Sequence, residues 1–325
     1  MAVDHRHAAA MRPLGKGDVP RHRAPDCRGV SLVELLVALT LFGIVGTAIL
    51  GALDRQVRLH TTVLALLESR TQHAATHEIL GVSLRGVAPL AGDVQAVSDS
   101  AIVFRLSLGG GVVCATGASG VMLAPDTLGN GQVLTRMHSA PQRGDTLWLL
   151  DEGPTDATID DQWLALSVWT AMRATGGCAG GGLIAPPDDA LPAWRIDVAT
   201  VLPPTITAGV PARLTRRARF SLYRSGSDSW LGFAEWNAAG TGWNTIQPVS
   251  GPYLPYSSAS PAASGVALAP RDSSGGSGWG RPTASVTALS VATRTRTRVP
   301  LRLDGMQRGF ALDSLRSLLA MRNAR

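Results

Sequence analysis

The sequence predicts an α+β protein: one long amino-terminal helix, membrane-spanning in its first half, followed by a β-rich region. Three observations carry this. Val30–Leu53 is an apolar span of 24 residues that holds a single carboxylate, Glu34. A helical pattern then continues without a proline until Pro89. From about residue 90 the texture changes to short apolar, β-prone runs broken by Gly, Pro, Asp and Ser.

The first element is the apolar span. A bilayer-crossing helix needs about 20 residues, so Val30–Leu53 is long enough. A carboxylate inside such a span costs about 2.5–3.5 kcal/mol near mid-membrane and less near an end, which points to a functional partner. The residues run Gly29, Val30, Ser31, Leu32, Val33, Glu34, Leu35. This stretch resembles the amino terminus of type IV prepilins and pseudopilins, where a basic leader ends in Gly and the next residues run Phe-Thr-Leu-Ile-Glu-Leu. The resemblance implies cleavage between Gly29 and Val30 by a prepilin peptidase and N-methylation of Val30. Glu34 then takes the fifth mature position, where the family keeps a glutamate that acts as an assembly contact. Two departures stand out: Val30 replaces the usual first Phe, and the 29-residue leader is long, although a start at Met11 would shorten it. An ordinary signal anchor explains less of the pattern. A secretory signal peptide would carry Glu34 inside its apolar region, with only a weak small-residue cleavage signal near Ala48.

Composition fits export. Residues 1–29 hold the bases Arg6, Arg12, Lys16, Arg21, Arg23 and Arg28 against Asp4, Asp18 and Asp26, a bias expected of a cytoplasmic amino terminus. The leader's three excess positive charges leave +3 of the formal +6 on the mature chain, so the pI of about 10.0 does not by itself imply nucleic acid. Lys16 is the only lysine, so the mature form has none for a Schiff base or a phosphate-binding loop. Cys27 leaves with the leader. Cys114 and Cys178 remain, an even pair in a domain expected to face an oxidising compartment. A disulfide between them would contribute roughly 4 kcal/mol in the chain-entropy picture; two free buried thiols are the alternative.

Beyond Leu53, Asp54, Arg55 and Arg58 mark the exit from the membrane, and Leu59, Val63, Leu66, Leu67 and Leu80 recur at largely helical spacing. One helix is expected from about Ser31 to about Val82, ended by Gly81, Gly86 and Pro89. The domain plan is a leader over 1–29, a helical segment over 30–86 with 30–53 in the membrane, and a head over 87–325. Gly43, Gly46 and Gly51 allow close helix packing in the membrane; local unwinding during filament assembly is the sharper reading.

Strands are expected at 101–108, 111–115, 146–151, 194–200, 218–224, 230–235 and 286–298, with Gly109-Gly110-Gly111 as a turn. Arg219–Arg224 alternates polar and apolar residues, as a half-buried strand does. This succession loosely resembles the heads of minor pilins of the PilW type and of the J-type pseudopilin, which implies a pilin-like antiparallel sheet packed on the helix. Residues 257–282, rich in Ser, Gly, Ala and Pro, read as a flexible loop. Phe310, Leu312, Leu315, Leu318 and Leu319, with Arg316 and Arg322 interspersed, read as a short carboxy-terminal amphipathic helix.

Chemistry-bearing patterns are sparse. His73 and His77 stand four apart but have no third ligand in pattern and make no His-Glu-x-x-His arrangement, so they read as a solvated helix face. His138 stands alone. Asp160 with Asp161, and Asp188 with Asp189, lack the pattern of a calcium loop. Arg294, Arg296 and Arg298 alternate with threonines, and Arg302 extends the stripe. On a strand they share a face that reads as solvated, since no aromatic residues interleave with them.

The resulting expectation is a structural subunit and no enzyme: a minor pilin or pseudopilin that primes or caps filament assembly. No cofactor and no metal is expected. The resemblance implies as partners the prepilin peptidase, other minor and major pilins or pseudopilins, an inner-membrane assembly platform and inner-membrane lipid, with nucleic acid not expected. It places the chain in the bacterial inner membrane by a single pass, head in the periplasm, and then in a pilus or pseudopilus. The rival of a different class is a membrane-anchored periplasmic enzyme or binding protein.

Overall fold

The computed structural model describes residues 29–155, 159–179, 181–238, 241–298, 300–301 and 309–321. The leader residues before Gly29, Cys27 and Arg28 among them, lie outside the described residues, as do Arg302 and Arg322. The chain divides into two units, one ending at Val57 and one spanning Arg58–Arg325.

Helix α1 (Leu32–Arg85) has 54 residues. No proline interrupts it, and it runs three residues past the expected Val82. Val87 N–H closes on Leu84 O at 3.1 Å, and Pro89 opens a short 3-10 turn that ends on Gly92 in the left-handed region (φ 75). In the first unit its side chains are exposed almost throughout. In the second unit Ser69, His73, Thr76, Leu80 and Leu84 are buried, and their spacing of three and four draws one stripe along the helix.

The strands in the first half of the head are β1 (Val94–Val97), β2 (Ala101–Gly117), β3 (Gly120–Leu123), β4 (Arg136–Met137), β5 (Thr146–Asp151), β6 (Gln162–Ala174) and β7 (Ala193–Val198). They continue with β8 (Pro211–Ser225), β9 (Asp228–Asn237), β10 (Gly242–Trp243), β11 (Gln247–Tyr253), β12 (Val266–Arg271), β13 (Ala288–Arg296) and β14 (Leu312–Ala320). Their pairings are antiparallel. The path β2-β3-β7-β6-β5-β8 returns to β2, so these strands close into a barrel. Leu108, Val113, Leu123, Leu147, Leu149, Ile196 and Leu214 fill its interior. A second core joins Leu80 and Leu84 of α1 to Ile102, Phe104, Phe220, Leu231, Leu289 and Val291.

Strands β2 and β8 serve both cores. Residues 212–215 of β8 pair with β5 and residues 218–225 with β9. Arg216 sits at that changeover, buried. Its Nε and Nη2 donate to the two carboxylate oxygens of Asp145 (2.8 and 2.9 Å), and Nη1 donates to Glu235 (2.8 Å). These bonds raise its already high pKa further against the cost of burial.

The structure corrects several expectations. The stretch 101–117 is one strand, not two with a glycine turn. Gly109 (φ 142) forms a bulge in it, and a Cβ there would lie 2.1 Å from Arg136 O, so glycine is what lets β4 approach. The supposed loop 257–282 contains β12, where Val266, Leu268 and Pro270 are buried in strict alternation. The supposed carboxy-terminal helix is β14, paired with β13 over its whole length. Leu312, Leu315, Leu318 and Leu319 fit a helical period, but over nine residues that period is ambiguous, and the open edge of β13 decides it. Strands β6, β11 and β3 were missed, although Leu164, Leu166 and Val168 alternate inward.

Candidate functional site

The residues of the amino-terminal motif meet at the start of α1. Leu35 N–H donates to Ser31 O (3.1 Å), closing the first helical turn. Val33 N–H donates to Ser31 Oγ (3.2 Å), and Ser31 N–H donates to Glu34 Oε2 (3.3 Å). This is a reciprocal capping box: the serine satisfies a free amide of the first turn, and the glutamate reaches back to the amide of the serine. The carboxylate also lies at the positive end of the helix dipole. Around it Val30, Leu32, Leu35, Leu36 and Phe42 are exposed, with Leu32 at 81%.

Gly29 and Val30 precede the helix in non-helical chain, and a Cβ at Gly29 would meet nothing within 4 Å. Further along, Thr40 Oγ1 donates to Val37 O (2.9 Å) and Thr47 Oγ1 to Gly43 O (3.0 Å), so both hydroxyls are satisfied within the helix, as a hydrocarbon environment requires. The helix is unbroken at Gly43, Gly46 and Gly51. Among the described residues α1 is the helix long and apolar enough to cross a bilayer.

Residues 25–50 match the prokaryotic N-terminal methylation motif. The chain thus carries a prepilin-type motif, which supports a type IV pilin or pseudopilin and implies processing by a prepilin peptidase and assembly with other pilins. The motif together with the apolar helix is consistent with anchoring in the inner membrane. No curated protein and no solved structure matches the chain. Sequence reasoning placed Gly29, Val30 and Glu34 at the motif but missed the role of Ser31, although Ser-x-x-Glu ahead of an apolar run is a legible helix-start signal.

Cys114 and Cys178 form a disulfide with a Cα–Cα distance of 5.3 Å. Both are buried in a small cluster with Met122, Ala124, Ile184 and Ala193, so the bond fastens the β6–β7 connection to the outside of β2 and β3.

His73 and His77 do not form a solvated face. His73 is 2% exposed and its Nδ1 lies 2.7 Å from Thr293 Oγ1; His77 Nε2 lies 3.2 Å from the same hydroxyl. Ser317 Oγ bonds to His77 Nδ1, Thr295 Oγ1 bonds to Ser69 Oγ, and Asp313 Oδ2 accepts from Ser69 Oγ at 3.2 Å. Burial lowers the pKa of both histidines, partly offset at His73 by Asp313 and reinforced at His77 by His73. The inward residues of β13 and β14 are thus polar where the inward residues of α1 are polar, and sequence periodicity along α1 alone could not reveal that. Among the described residues no three His, Cys, Asp or Glu side chains gather as a metal site.

The remaining candidates are scattered. Asp160 accepts from Thr155 Oγ1 (2.7 Å), Asp188 accepts from Gly129 N–H (3.0 Å), and His138 is exposed. Of the arginine stripe, Arg294 donates to Ser264 O (3.1 Å), Arg298 pairs with Glu68 (3.7 Å), and Arg296 lies over Phe310, an aromatic contact the sequence hid.

Proposed function

We propose that this chain is a minor type IV pilin or pseudopilin, a structural subunit without catalytic activity that primes or caps assembly of a type IV pilus. The observation that carries this reading is Glu34, a carboxylate in the first turn of an exposed apolar helix, five residues after the glycine of a prepilin-type motif. Cleavage after Gly29 would create an ammonium at Val30. In an apolar layer each of these charges is costly alone and less so when it faces an opposite charge. Glu34 of one subunit then receives the amino terminus of a neighbour and sets the stagger between helices.

The test combines processing and assembly. Mass spectrometry of the mature chain should find Val30 at its amino terminus, N-methylated. Glu34→Leu should leave membrane insertion and head folding intact while lowering filament number and co-purification of partner subunits. Glu34→Asp should retain part of both. Normal filaments and normal co-purification with Glu34→Leu would remove Glu34 as the assembly contact. An unprocessed chain active as a monomer would favour the membrane-anchored enzyme or binding protein.

A further inference from the structure

The alternate residues of β8 that point away from the cores, Arg213, Thr215, Arg217 and Arg219, share a face with Arg105 of β2. Arg213 is neutralised by Asp93, and Arg105 donates to Gly92 O (2.7 Å). Arg217 and Arg219 differ from these: among the described residues no carboxylate pairs with either. Their partners are rings. The Arg217 guanidinium lies 5.0 Å from the Trp236 ring and 5.1 Å from that of Trp243, and the Arg219 guanidinium lies 4.7 Å over Trp243. The two indoles stand edge to face with centroids 5.3 Å apart. Arg219 Nε is buried without a hydrogen-bond partner among the described residues, so this side chain is held by packing and ring contact.

We propose that this face of β8, β9 and β10 binds single-stranded nucleic acid. The exposed Arg217 guanidinium, lying on indole rings, keeps N–H groups for an oxyanion, and arginine binds phosphate with two parallel hydrogen bonds; Arg219, whose Nε is buried, adds its charge beside it. Residues two apart on a strand are separated by about 6.7 Å, comparable with the step between phosphates of an extended nucleic-acid strand. Trp236 and Trp243 add half-buried aromatic surface on which unpaired bases stack without regard to sequence. A duplex keeps its base faces covered and cannot use that surface. A lipid surface would need protruding aliphatic side chains, and the aliphatic neighbours on this face, Val103, Ala234 and Ile246, are buried or half-buried. This surface is separate from the stripe of Arg294, Arg296 and Arg298, whose charges have other partners.

The experiment is fluorescence anisotropy of a labelled oligothymidylate with the detergent-solubilised full chain over a salt series. Binding at low salt is expected. Arg217→Ala with Arg219→Ala should weaken it at least about tenfold and flatten the log–log salt slope by about 1.4, the share of two phosphate contacts on a single strand. Replacing both by lysine keeps charge and fold and should fall between wild type and the alanine pair. Arg294→Ala with Arg296→Ala should bind as wild type does. Absence of binding, or equal binding by the lysine and alanine pairs and the wild type, would overturn the proposal. So would equal capture of phosphatidylglycerol vesicles or a sulfated polysaccharide with the same loss in the alanine pair, because the face would then be a general anion patch.

Discussion

Between Leu32 and Val57 helix α1 leaves Leu35, Leu36, Leu39 and Phe42 exposed, and Glu34, Thr40 and Thr47 bond to the local backbone. Between Arg58 and Arg85 the same helix buries Ser69, His73 and Thr76 alongside Leu80 and Leu84, and its polar groups bond to β11, β13 and β14. An apolar surface that is internally satisfied is made for a solvent, lipid or apolar neighbours of many shapes. A polar stripe with named acceptors is made for one partner in one register, because a half-satisfied polar seam is worse than an apolar one. One continuous helix therefore carries two kinds of specificity, loose at its start and strict at its end.

The contrast is broken most sharply by truncating a leucine in each half. Leu80→Ala should lower the unfolding free energy of the head by about 2–5 kcal/mol, since it opens a cavity in a closed core. Leu36→Ala should change head stability by less than about 0.5 kcal/mol. Chemical denaturation followed by tryptophan fluorescence reads both, and a comparable loss at Leu36 would show that the first half is also part of a specific core. Next in size is the disulfide: Cys114→Ala with Cys178→Ala should cost about 2–4 kcal/mol by freeing the unfolded chain, within the strict region only. Complete alkylation of both cysteines in native, unreduced protein would refute the bond.

A smaller effect comes from pH. The folded-state pKa values of His73 and His77 lie below the ordinary value of 6.5, so the folded protein resists protonation that the unfolded chain accepts. Their contribution to stability is whole above pH 6.5 and is lost as the pH falls from there toward the lower folded-state values. Melting temperature should therefore drop between about pH 7.5 and 5.5, and less steeply in His73→Gln, which has no proton to gain. An identical slope in the variant would place the pH dependence elsewhere. Smallest is the cap: Ser31→Ala removes one hydrogen bond at the helix start, about 1 kcal/mol locally. It should leave head melting unchanged and increase amide exchange at Val33 and Glu34. Unchanged exchange there would mean that the capping box does not hold the first turn.

The α+β class, the continuity of α1 and the strand at Thr146–Asp151 were legible because each rests on local pattern: absence of proline, apolar period, alternation. The motif residues were legible for the same reason, since Gly29, Val30 and Glu34 lie within six positions of one another. The barrel was not, because its closure rests on β8 pairing with β2 across about a hundred residues of chain, and no local period encodes which edge meets which. The polar seam was hidden for a related reason. His73 reads as surface on its own helix, and only Thr293 opposite makes its burial tolerable.

By itself, then, the sequence determined the amino-terminal helix, the lone carboxylate of its apolar first half and the change to β structure after residue 90, since propensity and hydrophobic period act over a few neighbours. Tertiary structure alone decided that residues 312–320 are a strand, that Arg216 is buried between Asp145 and Glu235, and that Arg217 and Arg219 lie against Trp236 and Trp243. Each of these depends on a partner distant in the chain or set by strand register. The energy of a backbone edge, a buried charge or a stacked cation is fixed by what faces it, and that is known only once the chain has folded.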